Sequence, residues 1–150
     1  MESSRKVSVK RDIAASPQDI FNVLANPQMH PRIDGSGAVQ QVRNAPVRLS
    51  LGATFSMDMK NRVPYLTKNV VVAFEEDRTI AWHHFARFVW RYDLAPHDDG
   101  TTVTESFDYS PPWGVFLLPL KIPEQNRVGM EKSLARLATL VESSGSSPTQ

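Results

Sequence analysis

A late change in hydrophobic period is what most narrows the fold of this chain. Residues 38–109 form a succession of short segments in which apolar and polar side chains alternate, the period of half-buried strands. From Pro123 the spacing changes, and Met130, Leu134, Leu137 and Val141 recur at i, i+4, i+7 and i+11, with Glu131, Lys132, Arg136 and Glu142 elsewhere on the wheel. A run of strands closed by one long amphipathic helix predicts an α+β chain: an antiparallel meander whose apolar face is covered by that helix.

The segment before the strands completes the element order. Residues 6–13 alternate, with Val7, Val9, Arg11 and Ile13 on one face and Arg11 the odd member. Ser16-Pro17-Gln18-Asp19 sets a capping residue, a proline at the first helical position and an acidic first turn, so a helix starts there and stops at Asn26-Pro27. A second short helix or turn is expected over 27–32. Strands are expected at 38–43, 53–61, 65–76, 79–85, 88–95 and 101–109, giving about seven with the first. The final helix runs for about 20 residues from Pro123.

Composition excludes several classes of function. The 17 basic residues nearly balance the 16 acidic ones, against the clustered positive excess of a nucleic-acid binder. The absence of cysteine removes disulfides, thiolate nucleophiles and Cys-ligated metals, and no His/Asp/Glu spacing matches a metal-ligand pattern. No cofactor is expected. The N-terminus lacks the apolar stretch of a signal peptide, and the most apolar run, Trp113–Leu120, is far too short to span a bilayer. The expectation is a soluble cytoplasmic protein, monomeric or homodimeric, with one domain over residues 1–142 and a disordered Ser/Gly/Pro/Thr tail over 143–150.

Four segments carry a resemblance to a known superfamily. They are Ile13-Ala-Ala-Ser-Pro17 leading to Ile20-Phe21-x-x-Leu24-Ala-Asn-Pro27; His30-Pro-Arg-Ile-Asp-Gly-Ser-Gly37; Ile80-Ala-Trp82 with Trp90-Arg-Tyr92; and Gly100-Thr-Thr-Val-Thr-Glu105. In order and spacing they resemble the helix-grip (SRPBCC) superfamily of START lipid-transfer domains, the major birch pollen allergen and bacterial polyketide cyclases or dehydrases, the last branch most of all. The resemblance implies a curved sheet of about seven strands gripping a C-terminal helix, with an apolar small-molecule cavity between them. It implies no reaction, because the branches share no catalytic residues.

Alternation names the expected walls. Phe88, Trp90, Tyr92 and Leu94 share one face of their strand, and Val103, Glu105, Phe107 and Tyr109 share one face of the last. The candidate ligand-binding set is Met57, Met59, Trp82, His84, Trp90, Tyr92, Glu105, Phe107, Tyr109 and Trp113, with Met130, Leu134 and Leu137 from the helix. Glu105 is then a carboxylate among rings and requires a partner. Arg11 is the first candidate, since the first and last strands are neighbours in the resembling fold. The pair is either structural or a polar anchor for ligand. His83 and His84 point to opposite faces, and alternation from Ile80 and Trp82 turns His84 inward, as a hydrogen-bonded structural group or a ligand-orienting base. Asp34-Gly-Ser-Gly37 lacks the lysine and context of a phosphate loop and reads as a tight turn.

Three functions follow as expectations. One is binding or carriage of an apolar small molecule, lipid or polyketide-like. A second is an aromatase/cyclase-type enzyme using Glu105, His84, Arg11 or Tyr92 for proton transfer. The third is an interaction or regulatory module, such as one half of a toxin–antitoxin-like pair, acting through the apolar segment 111–120. That segment is alternatively a lid over the cavity or part of the core.

Overall fold

The computed structural model describes residues 5–84 and 86–145, with side chains to residue 142. Strand β1 (Lys6–Ile13) is followed by helix α1 (Pro17–Leu24), whose start is fixed by Ser16 accepting the Asp19 N–H at 3.1 Å. A 3-10 turn (Pro27–Met29) leads into the one-turn helix α2 (His30–Ile33). Then come β2 (Val39–Asn44), β3 (Thr54–Asn61), β4 (Val63–Glu75), β5 (Thr79–His83), β6 (Val89–His97) and β7 (Gly100–Asp108). A second 3-10 turn (Pro112–Leu117) precedes helix α3 (Ile122–Gly145).

The seven strands form one antiparallel sheet in the order β1-β7-β6-β5-β4-β3-β2. The sheet curves around α3, which lies against β1 and β7 and touches α1 and α2. Met130, Leu134, Leu137, Ala138 and Val141 form its buried stripe, in the spacing read from the sequence. The helix is longer than expected at its C-terminal end: it continues to Gly145, so 143–145 are helical rather than part of a disordered tail, and 146–150 lie outside the described residues. β5 is shorter than expected, ending at His83, while Phe85 lies outside the described residues.

The 34–37 turn serves to dock this helix. Asp34 accepts the Val39 N–H and the Ser36 N–H and hydroxyl, which closes the turn on itself. The Gly35 N–H donates to Ser133 Oγ at 2.8 Å, and Arg136 donates to the Asp34 carbonyl. A Cβ at residue 35 would overlap the α3 backbone at Gly129 and Ser133, so glycine is required by the close approach. At the other end of α3, Glu142 accepts the Ala14 N–H.

Besides the starts of β1 and β2, one end of the sheet carries three loops: the β3–β4 turn around Arg62, the β5–β6 loop 84–88, and the segment 109–121 between β7 and α3. The last is anchored rather than loose. Arg5 donates to the carbonyls of Tyr109, Ser110 and Pro111, and Gly114 is buried so tightly against the Tyr109 carbonyl that a Cβ would overlap it. Gly114→Ala should therefore lower stability by about 1–3 kcal/mol, measured by thermal unfolding, because the segment must shift off the sheet end.

Candidate ligand-binding site

The concave face of the sheet assembles the expected aromatic wall. β5, β6 and β7 place Trp82, Trp90 and Phe107 on one row and Ile80, Tyr92 and Glu105 on the next, with Val9 of β1 opposite Glu105. Trp90 and Phe107 stand 4.6 Å apart between ring centroids, Phe107 stacks on Tyr109 at 5.6 Å, and Trp82 lies 5.9 Å from Tyr92. Met57, Tyr92, Phe107 and Tyr109 are buried, as are Met130, Leu134 and Leu137 on the helix side. Trp82, Trp90 and Met59 point to the same face yet are only half buried, so these three side chains keep some contact with solvent near the end carrying the three loops.

Glu105 is the most unusual group in this setting. It is 3% exposed, and its Oε1 has no hydrogen-bond partner among the described residues. The Tyr92 hydroxyl donates to the carboxyl group. Burial raises the Glu105 pKa from an ordinary 4.5 to about 8; the Tyr92 bond opposes this and the nearby Asp34 carboxylate adds to it. Glu105 is thus a neutral acid at pH 7, with both a proton to donate and an oxygen that accepts. Burial, then the Glu105 carboxyl, pushes the Tyr92 phenol well above its usual range.

The partner expected for Glu105 is corrected by this geometry. Arg11 keeps the parity of Val9 and Ile13, but it lies on the edge strand opposite Val103 and is exposed. A neighbouring phenol engages one side of the carboxyl group without a second buried charge, whose desolvation would cost several kcal/mol, and leaves Oε1 open. Trp113 is also displaced from the expected lining: it is 45% exposed, and its indole N–H donates to the Ala86 carbonyl at 2.7 Å, tying segment 109–121 to the β5–β6 loop. His84 sits just beyond β5 rather than within it. Its ring is half buried, meets Phe88 edge-on at 6.0 Å, and accepts the Ala86 N–H at Nδ1. Desolvation lowers its pKa, with His83 adding to the effect.

Three polar residues of this face were not singled out from sequence. His30 is buried, its Nε2–H donating to the Leu24 carbonyl at 2.8 Å, and it stacks on Trp82 at 4.9 Å. Burial holds its pKa below 6.5 and keeps it neutral. Thr67 and Asn69 are buried on β4 beside Met57 and Phe55, with Asn69 Nδ2 3.4 Å from both the Phe55 carbonyl and Thr67 Oγ1. Alternation from Val71 carried the signal for the last two. Nothing in the local pattern marked His30, which depends on the one-turn helix α2 to face inward.

No cluster of three or more His, Asp or Glu among the described residues has the arrangement of a metal site. No described helix is long and apolar enough to cross a membrane. Two surface grooves, one along Arg32, Arg136 and Leu140 and the other along Pro17, Asp77 and Leu94, are lined by none of Glu105, Tyr92 or His30.

Comparison with known proteins agrees with this architecture. Residues 4–142 match the family model described as polyketide cyclase / dehydrase and lipid transport. An uncharacterized protein of Mycobacterium tuberculosis, Rv0088, is 30% identical over 140 residues; the match takes in 89% of this chain but 62% of that protein, so the chain spans less than two thirds of its relative. Among solved structures, the AHSA1-like protein from Aeromonas hydrophila superposes with a TM-score of 0.72 at 17% identity, covering 97% of this chain and 98% of that one. Protein Ms6760 from Mycobacterium smegmatis gives 0.70 at 15% identity, covering 95% and 98%. The seven-stranded grip on α3, and a family match running through nearly every element, show that this chain belongs to the polyketide cyclase/dehydrase and lipid transport family of the helix-grip superfamily.

Proposed function

We propose that the protein binds an apolar, partly aromatic small molecule, lipid or polyketide-like, that carries at least one hydroxyl or keto group. The supporting observation is Glu105: a buried neutral acid with one oxygen unpartnered among the described residues, set among aromatic rings on a face whose Trp82 and Trp90 are only half buried. An unsatisfied polar atom in such a site is costly unless something bonds to it. A ligand hydroxyl supplies that bond, and Trp82, Trp90 and Phe107 supply flat apolar surface for the remainder.

Native mass spectrometry of freshly purified protein tests this reading. The expected result is a co-purified apolar mass, or saturable thermal stabilisation by 2-naphthol or a hydroxy fatty acid that weakens about tenfold in Tyr92→Phe, where the carboxyl loses its partner. No co-purified mass, and no stabilisation by either probe, would overturn it.

The same acid favours one second reading, an aromatase/cyclase-type reaction. A carboxyl group with a pKa of about 8 beside a phenol is suited to protonate a ligand keto oxygen during dehydration. Glu105→Gln separates the two: it retains binding in both cases, and abolishes turnover of a linear polyketide mimic only in the second.

A further inference from the structure

The three loops at one end of the sheet share two properties. They expose large apolar side chains: Val63, Tyr65 and Leu66 beside the β3–β4 turn, and Val115, Phe116, Leu118 and Leu120 on segment 109–121, with Phe116 71% exposed. They also contain no acidic residue, since 59–74, 78–92 and 109–123 are all free of Asp and Glu. Lys60, Arg62, Arg87 and Lys121 are exposed there, and none forms an ion pair with a described residue. The opposite end of the sheet is acidic, with Glu75, Glu76 and Asp77 in one turn and Asp98 and Asp99 in the other.

The backbone sharpens this. Arg62, Arg87 and Lys121 have φ of 72°, 65° and 58°, left-handed conformations in which glycine or asparagine is the unstrained choice. Each of the three loops therefore places a basic side chain at a left-handed position, where the backbone alone would favour glycine.

We propose that this end of the molecule docks onto an anionic lipid bilayer, with Phe116, Leu120 and Val63 entering the headgroup boundary and Lys60, Arg62, Arg87 and Lys121 facing lipid phosphates. Apolar tips ringed by cations suit a surface that is apolar within and negative at its face. The charge separation along the strands turns the acidic end away from the membrane, so the loop-bearing end of the concave face meets the lipid. The docking stands whether or not the interior binds the molecule proposed above.

Sedimentation of the full chain with vesicles of phosphatidylglycerol and phosphatidylcholine in equal parts, and with phosphatidylcholine alone, tests it. Binding is expected to the anionic vesicles, weaker to the neutral ones, and to fall as salt rises. Arg62→Gly, Arg87→Gly and Lys121→Gly combined should reduce partitioning on the order of a hundredfold, about fivefold per charge. Glycine relieves the left-handed strain, so the triple variant should melt no lower than the parent, and the loss cannot be assigned to unfolding. Phe116→Ser should cost about tenfold. Absence of sedimentation, equal partition onto both vesicle types, or an unaffected triple variant would overturn the proposal. So would a dimer in light scattering that Phe116→Ser disperses, because the face would then be occupied by a second copy of the chain.

Discussion

Glu105→Gln is expected to abolish a fall in stability that the wild-type chain shows as pH rises from about 5 to about 8. In the folded protein burial keeps the Glu105 proton in place up to about 8, whereas in the unfolded chain it is lost near 4.5. Between those values the folded state binds more protons, so unfolding becomes easier as pH increases. The sum over the interval is on the order of 5 kcal/mol. His30 acts in the opposite sense, because its pKa is held below 6.5 and the unfolded chain takes up a proton first as pH falls. With Gln at 105, only this opposing trend remains at the site. Urea midpoints at pH about 5 and about 8 measure both variants. A wild-type midpoint that changes with pH no differently from that of Glu105→Gln would show that Glu105 is ionised in the native state.

Leu137→Ala should cost about 2–5 kcal/mol in urea denaturation. The side chain is fully buried at the centre of the α3 stripe, between Leu134 and Val141. The helix has few polar ties to the rest of the fold: Ser133 to Gly35, Arg136 to the Asp34 carbonyl and Glu142 to Ala14. Its attachment therefore rests on apolar packing, and a void in the middle is felt fully. Glu142→Gln, which keeps an acceptor at an exposed contact, is expected to cost under about 1 kcal/mol. Equal losses in the two variants would contradict this ranking.

Much of this was legible in the sequence because alternation is a local property. The parity of Trp90, Tyr92, Glu105 and Phe107 needed only their own strands, and the Ser16-Pro17 start of α1 needed only four residues. What could not be read depended on places where local pattern meets tertiary position. Arg11 has the right parity but lies on an edge strand, where an inward-pointing side chain still reaches water. His84 follows the alternation of β5 but falls beyond its last paired residue. His30 falls in the short helix or turn expected over 27–32, but its inward direction has no local signal, because the one-turn helix that carries it is held by packing against Trp82 and Phe55 rather than by its own sequence. Trp113 has an apolar bulk that reads as core, yet its N–H is engaged by a loop carbonyl outside it.

The strand order has a consequence for synthesis of the chain. Lys6 pairs with Asp108 across β1 and β7, so the first strand of the sheet is completed by its seventh, and α3 can dock only after that. At about 5–20 residues per second the ribosome takes roughly 5–20 s to supply the partner. Throughout that interval Val7, Val9 and Ile13 have no sheet to join, and β2 to β6 present an open, uncovered apolar face. A topology dominated by such distant pairings folds slowly compared with a helical bundle of the same size. Until residue 108 has emerged, that face is open to misassociation with other chains.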